Sequence, residues 1–502
     1  MKRYIKMPFL CLLLGGTLAS CLDMDPVSSI TDENMWKNEG HFLSFDYGLH
    51  SRLRDVDAQN LFILGELRSD IYNEGIGWTG ESNKAEEITS NTLSEERPGL
   101  SNFAGLYFNI NQINLFILRT TETNVLTQAD KAYYLGQAYG LRAFYYFHLL
   151  RSWGNVVWNA DASLGFEVGN LARPATDAAT VMEYIKQDIA SSETAFGDDY
   201  SFRDGRCLWS KAATLTLKAE VYLWSARQMN GGQADARTAL DALDDIRSHI
   251  SRADLNLLPD FSSVFDYDNK GNTEIIFSLH NSHNEATLFN EGWRNNMVPQ
   301  KNTLSSYVEA DGQPIDLNFN GNVYYPLRID LYDSFDAADT RRDATLYPVY
   351  EAKDGHTEYV GCFAYKYRGM TPDGASYREF CDDYPIYRYA DVLLLSAEAK
   401  SLLGEDPAED INAIRSRAYG EAYDESRAYP HAEGDNDGID EVLLRERLRE
   451  FMFEGKRWYD LLRFGKEYVM KYSSLVNENH LLWPIDSGTL TDNTALVQTS
   501  GY

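Results

Sequence analysis

The chain has 502 residues, 44% of them hydrophobic, enough for a large core or about three domain-sized units. Its 76 acidic and 46 basic residues give a formal charge of −30, which excludes the basic footprint that nucleic-acid binding needs. The acidity itself implies a solvated, self-repelling surface rather than a particular activity.

The first residues have three parts. Lys2, Arg3 and Lys6 precede an apolar run from Met7 to Leu14, and Leu18-Ala19-Ser20-Cys21 then sets small residues before a cysteine. This is the layout of a secretory signal, and the cysteine just after the cut resembles a bacterial lipobox. The expectation is removal of residues 1–20 and lipidation of Cys21. The apolar run is too short to cross a bilayer, and no later stretch is apolar for long enough. The expected product is a soluble body of 482 residues, tethered at its N-terminus. Its charge becomes −33 once Lys2, Arg3 and Lys6 are lost. Several acyl chains on one cysteine, at about 0.8 kcal/mol per buried methylene, make such an anchor effectively permanent. Cys11 falls in the signal, which leaves Cys207, Cys362 and Cys381 without metal-type spacing. Cys362 and Cys381 are the candidates for a disulfide outside the cytoplasm.

Helical periodicity dominates both ends of the mature chain. Phe42, Phe45, Leu49 and Leu53 recur at steps of three and four, as do Phe103, Leu106, Ile110, Ile113 and Ile117. The same pattern runs through Tyr134, Ala138, Leu141, Tyr145 and Leu149, and through Ala212, Leu215, Ala219, Tyr222 and Ala226. Gly136, Gly140 and Ala143 lie on one side of the helix around 129–151, where small residues admit a second helix closely. Residues 255–390 differ: they are rich in Asn, Asp, Gly, Tyr and Pro. Strand-like runs such as Glu274–Leu279 alternate there with turns such as Pro372-Asp373-Gly374. Their many aromatic residues argue against disorder. Beyond them, Val392, Leu395, Ala399 and Leu402 form a stripe ending at Gly404, and Asp406-Pro407-Ala408-Glu409 starts the next helix. Leu444, Leu448 and Phe451 open a last pair, broken at Gly455 and resumed at Trp458, Leu461 and Leu462. The expected fold is mostly α, a tetratricopeptide-like scaffold of helix pairs carrying a loop-rich, short-strand subdomain. No clean 34-residue period is visible. The expected division is a signal at 1–20, an N-terminal helical part at 21–254, the loop-rich part at 255–390 and a C-terminal helical part at 391–502.

Five segments, taken in order, resemble the SusD/RagB family of surface lipoproteins of Bacteroidetes-type bacteria. They are the start after Cys21 with Met35-Trp36, LRAFYYFHLLRSWGNVV at 141–157, YPIYRYADVLLLSAEA at 384–399 with INAIRSRA at 411–418, RLREFMFEGKRWYDLLRFG at 447–465, and the closing LLWPID…LVQTSGY. Two departures mark a divergent member: Asn493-Thr494 and Thr499-Ser500 near the C-terminus, and Asp339-Thr340-Arg341 where the family has Asp-Pro-Arg. The resemblance implies a binding protein that captures glycans or other nutrients at the cell surface. It also implies a partner, a SusC-like TonB-dependent outer-membrane transporter.

No zinc-protease, nucleophile-elbow or P-loop motif is present, and neither enzyme activity nor a cofactor or metal is expected. Glu454, Arg457 and Asp460 read as structural, with Arg457 and Asp460 paired three residues apart on a helix. Asp435-Asn436-Asp437-Gly438 reads as a turn rather than an incomplete calcium loop. Sugar recognition needs flat aromatic area and hydrogen-bonding side chains. Trp153, Trp158, Trp209, Trp224 and Trp458 lie in or beside helical stripes and read as packing. Trp78 and Trp293 sit instead among glycines and amides, and are the expected ligand contacts. Tyr72, Asn83, Arg294 and Asn295 are their expected neighbours. The alternatives are a surface scaffold for a protein or peptide, and a glycosidase.

Overall fold

The computed structural model describes residues 34–73, 84–99, 102–165 and 172–502. The first half is helical. Its elements are α1 (Glu39–Arg52), α2 (Ala58–Glu66), α3 (Glu86–Thr89), α4 (Phe103–Glu122), α5 (Gln128–Trp153), α6 (Ala178–Phe196), α7 (Lys211–Gln228) and α8 (Gly232–His249). The middle holds β1 (Ile275–Leu279), the short α9 (Gly292–Met297), α10 (Lys301–Leu304) and α11 (Thr340–Thr345), then β2 (Leu346–Lys353), β3 (His356–Ala364) and β4 (Tyr384–Arg388). The last part is helical again: α12 (Tyr389–Leu403), α13 (Ala408–Tyr419), α14 (Ile439–Phe451), α15 (Arg457–Phe464), α16 (Lys466–Tyr472) and α17 (Ser487–Asp492).

The helices pack as pairs. α5 lies between α4 and α6, α7 on α8, and α12 on α8 and α13. Local chemistry fixes their ends. The Thr127 and Asp177 side chains accept from the backbone N–H groups of Asp130 and Thr180, capping α5 and α6. α12 stops at Gly404, whose φ is 74°. The small stripe on α5 receives aromatic rings from the neighbouring elements. A Cβ at Gly136 would meet the Phe196 ring at 2.8 Å, and one at Gly140 would meet Trp209 Nε1 at 2.1 Å. The Trp209 indole donates to Thr214 Oγ1 at 2.8 Å, so its polar edge is satisfied inside the core.

Two small antiparallel sheets interrupt the helices: β1 pairs with β4, and β2 with β3. The β2–β3 hairpin turns through Asp354 and Gly355, both at positive φ, as a two-residue hairpin loop requires. One continuous hydrophobic cluster runs from Phe42 to Leu496, so helical and loop-rich parts share a core. Trp153, Trp209, Trp224 and Trp458 are buried in it, and Trp158 packs against it beside Tyr146 and Tyr184. Cys207, Cys362 and Cys381 are free thiols.

The segment RLREFMFEGKRWYDLLRFG is the centre of a buried charge network. Arg388, fully enclosed, binds Glu274 at 2.7 Å, Glu450 at 2.6 Å and Glu454 at 2.9 Å. Arg341 binds Asp339, Glu446 and Glu450 at 2.7, 3.1 and 3.3 Å, so the divergent Asp339–Arg341 segment belongs to this core. Arg415 joins Glu446 to Asp435 at 2.9 and 2.8 Å, which uses the Asp435 carboxylate as an ion-pair partner in its turn. Burial would push Glu446 and Glu454 up, but the neighbouring cations overcome it. Arg341 and Arg415 bring Glu446 down to about 2, and Arg388 and Lys366 bring Glu454 down to about 2. One expected pair is corrected. Arg457 does not bind Asp460; it reaches Asp70 at 2.7 Å, while Asp460 binds Arg447 at 2.8 Å and Arg463 at 2.9 Å. Helical spacing brings two side chains to one face, but in this core the partners come from other elements.

Candidate functional site

The segment from Glu66 to Asn73 continues from the end of α2, and it is bolted to the C-terminal part. The Glu66 carboxylate accepts from the backbone N–H groups of Phe453 at 2.7 Å, Lys456 at 3.0 Å and Arg457 at 3.4 Å. Burial nevertheless pushes it up to about 7. Arg68 donates to the carbonyls of His480, Leu481 and Leu482 at 2.5, 3.1 and 2.8 Å, and lies over the Trp458 ring. Burial lowers it to about 10. Asp70 takes Arg457, and its carbonyl takes Arg328 Nη1 at 3.1 Å.

Tyr72 and Asn73 on one side, and Lys84 on the other, lie along residues 324–328. Tyr72 bridges Leu327, Asn73 N donates to the Pro326 carbonyl at 3.2 Å, and Lys84 N donates to the Tyr324 carbonyl at 3.2 Å. Lys84 Nζ sits 3.6 Å from the centroid of the Tyr324 ring. The third strip of this face is α9 with the segment 318–322, where Asn320 forms an antiparallel bridge with Gln300. Asn322 N donates to the Arg294 carbonyl, Tyr325 N to the Asn296 carbonyl, and Arg294 Nη1 to the Asn320 carbonyl at 3.3 Å. Gln300 Nε2 donates to Asn322 Oδ1 at 3.1 Å. Gly321 makes the approach possible, since a Cβ there would come within 2.2 Å of the Arg294 carbonyl and 2.4 Å of the Val298 carbonyl.

The expected site residues separate into two groups. Arg294 and Asn295 are both half-buried on α9; Arg294 reaches this face through Asn320 and has its Nε 2.5 Å from Glu291. Trp293 is corrected: it has no exposed surface and packs edge-on against Tyr367, Phe453 and Phe62, beneath the face rather than on it. Its glycine and amide neighbours shape a short helix, and the indole is the anchor that pins that helix to the core. Tyr72 is likewise buried, at 2% exposure, and its phenol is pushed well up by burial and then by Glu66. Trp78 and Asn83, like Cys21, lie outside the described residues. Sequence reasoning passed over Lys84, Asn320 and Tyr324. The amide-rich run Asn318-Phe319-Asn320-Gly321-Asn322 was the available signal.

Family models match two stretches of the chain. Residues 346–475 match the SusD family, and residues 44–223 match a family described as starch-binding and associating with the outer membrane. The fold of a SusD superfamily protein from Bacteroides vulgatus is shared at TM-score 0.88, with 44% identity over 93% of this chain and 100% of that one. The chain belongs to the SusD family. NanU of Bacteroides fragilis is similar at TM-score 0.89 and 49% identity, covering 95% of this chain and 100% of its own. The starch-binding protein SusD of Bacteroides thetaiotaomicron is 24% identical over 80% of this chain and 78% of its own. SusD-family membership accounts for the mostly helical fold. It also links the chain to a family of outer-membrane association.

Proposed function

We propose that this chain is a glycan-binding lipoprotein, anchored through Cys21 at the outer face of the outer membrane. It captures oligosaccharides and passes them to a SusC-like TonB-dependent transporter. The observation that carries the reading is the polar face above Tyr72. The segments at Tyr72–Asn73 and Lys84, α9 and the amide-rich segment 318–322 converge there, and present Lys84, Arg294, Asn320 and the Tyr324 ring, with Asn295 next to Arg294 on α9. Such a face supplies hydrogen bonds and aromatic area of the kind sugar hydroxyls and C–H faces require. The family description and the name of the Bacteroides thetaiotaomicron relative favour a glycan over a peptide. On this reading Trp78 and Asn83, which fall between Asn73 and Lys84 in the sequence, complete the site, and Trp78 supplies the stacking ring.

The test is binding of purified chain to an oligosaccharide panel, followed by titration of the best ligand. Trp78→Ala and Arg294→Ala each weaken binding at least about tenfold, equivalent to 1.4 kcal/mol, with the melting temperature unchanged. If both variants bind as tightly as the parent, the face is wrong. Release of labelled oligosaccharide products would instead make the chain a glycosidase. Co-purification of the intact protein with an outer-membrane transporter, lost in Cys21→Ala, tests the anchoring and delivery step.

A further inference from the structure

A second cleft, of about 520 Å³, opens away from the residues just described, between α1, the segment before α7 and one end of the β1–β4 pair. Three chemically distinctive side chains meet in it: Cys207, His280 and Asp383. The ladder explains two of them. Leu279 pairs with Tyr384, so His280, which follows β1, and Asp383, which precedes β4, stand side by side at the same end of the sheet. His280 Nδ1 lies 3.0 Å from Asp383 Oδ1, and Asn281 N also donates to that oxygen at 3.0 Å. Cys207 arrives from another direction, on a turn in which Asp204, Gly205 and Arg206 all have positive φ. One candidate ligand atom from each of the three residues lies within 4.8 Å of the others.

We propose that Cys207, His280 and Asp383 bind a zinc-class divalent cation, with its fourth position open to the cleft. Thiolate sulfur, imidazole nitrogen and carboxylate oxygen are the ligand types of tetrahedral zinc, at bond lengths of about 2.0–2.3 Å. Those lengths set ligand atoms about 3.5 Å apart, so closure needs a shift of about 1 Å. The thiolate disfavours the hard cations calcium and magnesium. Thiolate and carboxylate together offset the cation's two charges. The neighbouring cations are already engaged. Arg54 binds Glu285 at 2.7 Å and the His280 carbonyl at 2.9 Å, and Lys270 Nζ is held by the carbonyls of Asn281 and Cys381 at 2.6 and 2.7 Å. Lys270 Nζ lies 3.7 Å from Asp383 Oδ1, close enough to steady the carboxylate without occupying its other oxygen. The three residues are 73 and 103 positions apart in the chain, which is why no spacing motif betrays them.

Cobalt(II) is the probe, because a thiolate ligand gives it a near-ultraviolet charge-transfer absorption and a tetrahedral site gives it strong visible bands. The full chain, stripped with a chelator, takes up one equivalent of cobalt with both signals, and zinc displaces it. Cys207→Ser loses the charge-transfer absorption. His280→Ala and Asp383→Asn weaken binding by more than the roughly 10–100-fold that an outer-sphere change costs. Cys381→Ser, which alters a buried thiol outside the trio, leaves the signals intact. Circular dichroism of each stripped variant confirms that it is folded. A parent chain without charge-transfer absorption, or a Cys207→Ser variant that retains it, overturns the site. A folded Asp383→Asn variant that binds as the parent does overturns the assignment of Asp383.

Discussion

The charge network around α14 and the polar face above Tyr72 use the same residue types on opposite terms. In the network, Arg341, Arg388 and Glu450 have no exposed surface, and each guanidinium is matched to two or more carboxylates. On the face, Arg294 is half-buried, with one carboxylate neighbour and one carbonyl. The first arrangement makes removal of one partner costly, because the others are left charged and dry. The second leaves groups available to something else. The difference is that charge is held in a dry core in one part of this protein and at a half-exposed surface in another, and burial separates the two.

That contrast can be broken by measurement. Arg388→Met leaves Glu274, Glu450 and Glu454 short of a partner, and is expected to cost about 3–5 kcal/mol in urea denaturation. A cost below 1 kcal/mol would mean that the network is no more demanding than the surface. The pH dependence of stability has two limbs of opposite sign. Glu446 and Glu454 titrate near 2 in the folded chain against an ordinary 4.5, so their contribution is complete above 4.5 and is lost as pH falls towards 2. Glu66 runs the other way: raised from 4.5 to about 7, it contributes fully below 4.5 and loses up to about 3 kcal/mol as pH rises through 7. Glu66→Gln therefore flattens the stability curve between pH 5 and 7, and an unchanged slope in denaturation midpoints would exclude Glu66 as its source. Gly321→Ala drives a methyl group against two carbonyls and is expected to cost about 1–3 kcal/mol while also weakening glycan binding. Smallest in stability is Arg294→Ala, expected within about 0.5 kcal/mol of the parent, with its effect confined to binding.

Much of the scaffold was legible because helix faces and caps are local signals. The stripes at Phe103–Ile117 and Tyr134–Leu149 fall on α4 and α5, and the Gly404 stop ends α12 as its context implies. The candidate face was legible only in part. Arg294 borders it through Asn320, but Trp293 turns inward, because the direction of a tryptophan on so short a helix is set by the cavity that Tyr367, Phe453 and Phe62 leave for it. The same limit hid the partner of Arg457. Asp460 is three residues away, yet Asp70, 387 residues distant, takes the bidentate pair. Partner choice in a dry core follows three-dimensional proximity, which sequence spacing does not carry.

Arg68 has one further consequence, for the order in which the molecule is completed. Its guanidinium is satisfied by carbonyls 412–414 residues further along the chain. Until those carbonyls arrive, a cation that belongs in the interior has to stay hydrated, and the segment carrying it cannot settle. The base of the polar face is therefore complete only once the segment around His480–Leu482 has docked on it. A chain cut before His480 would keep most of its helices and still leave that base unbuilt.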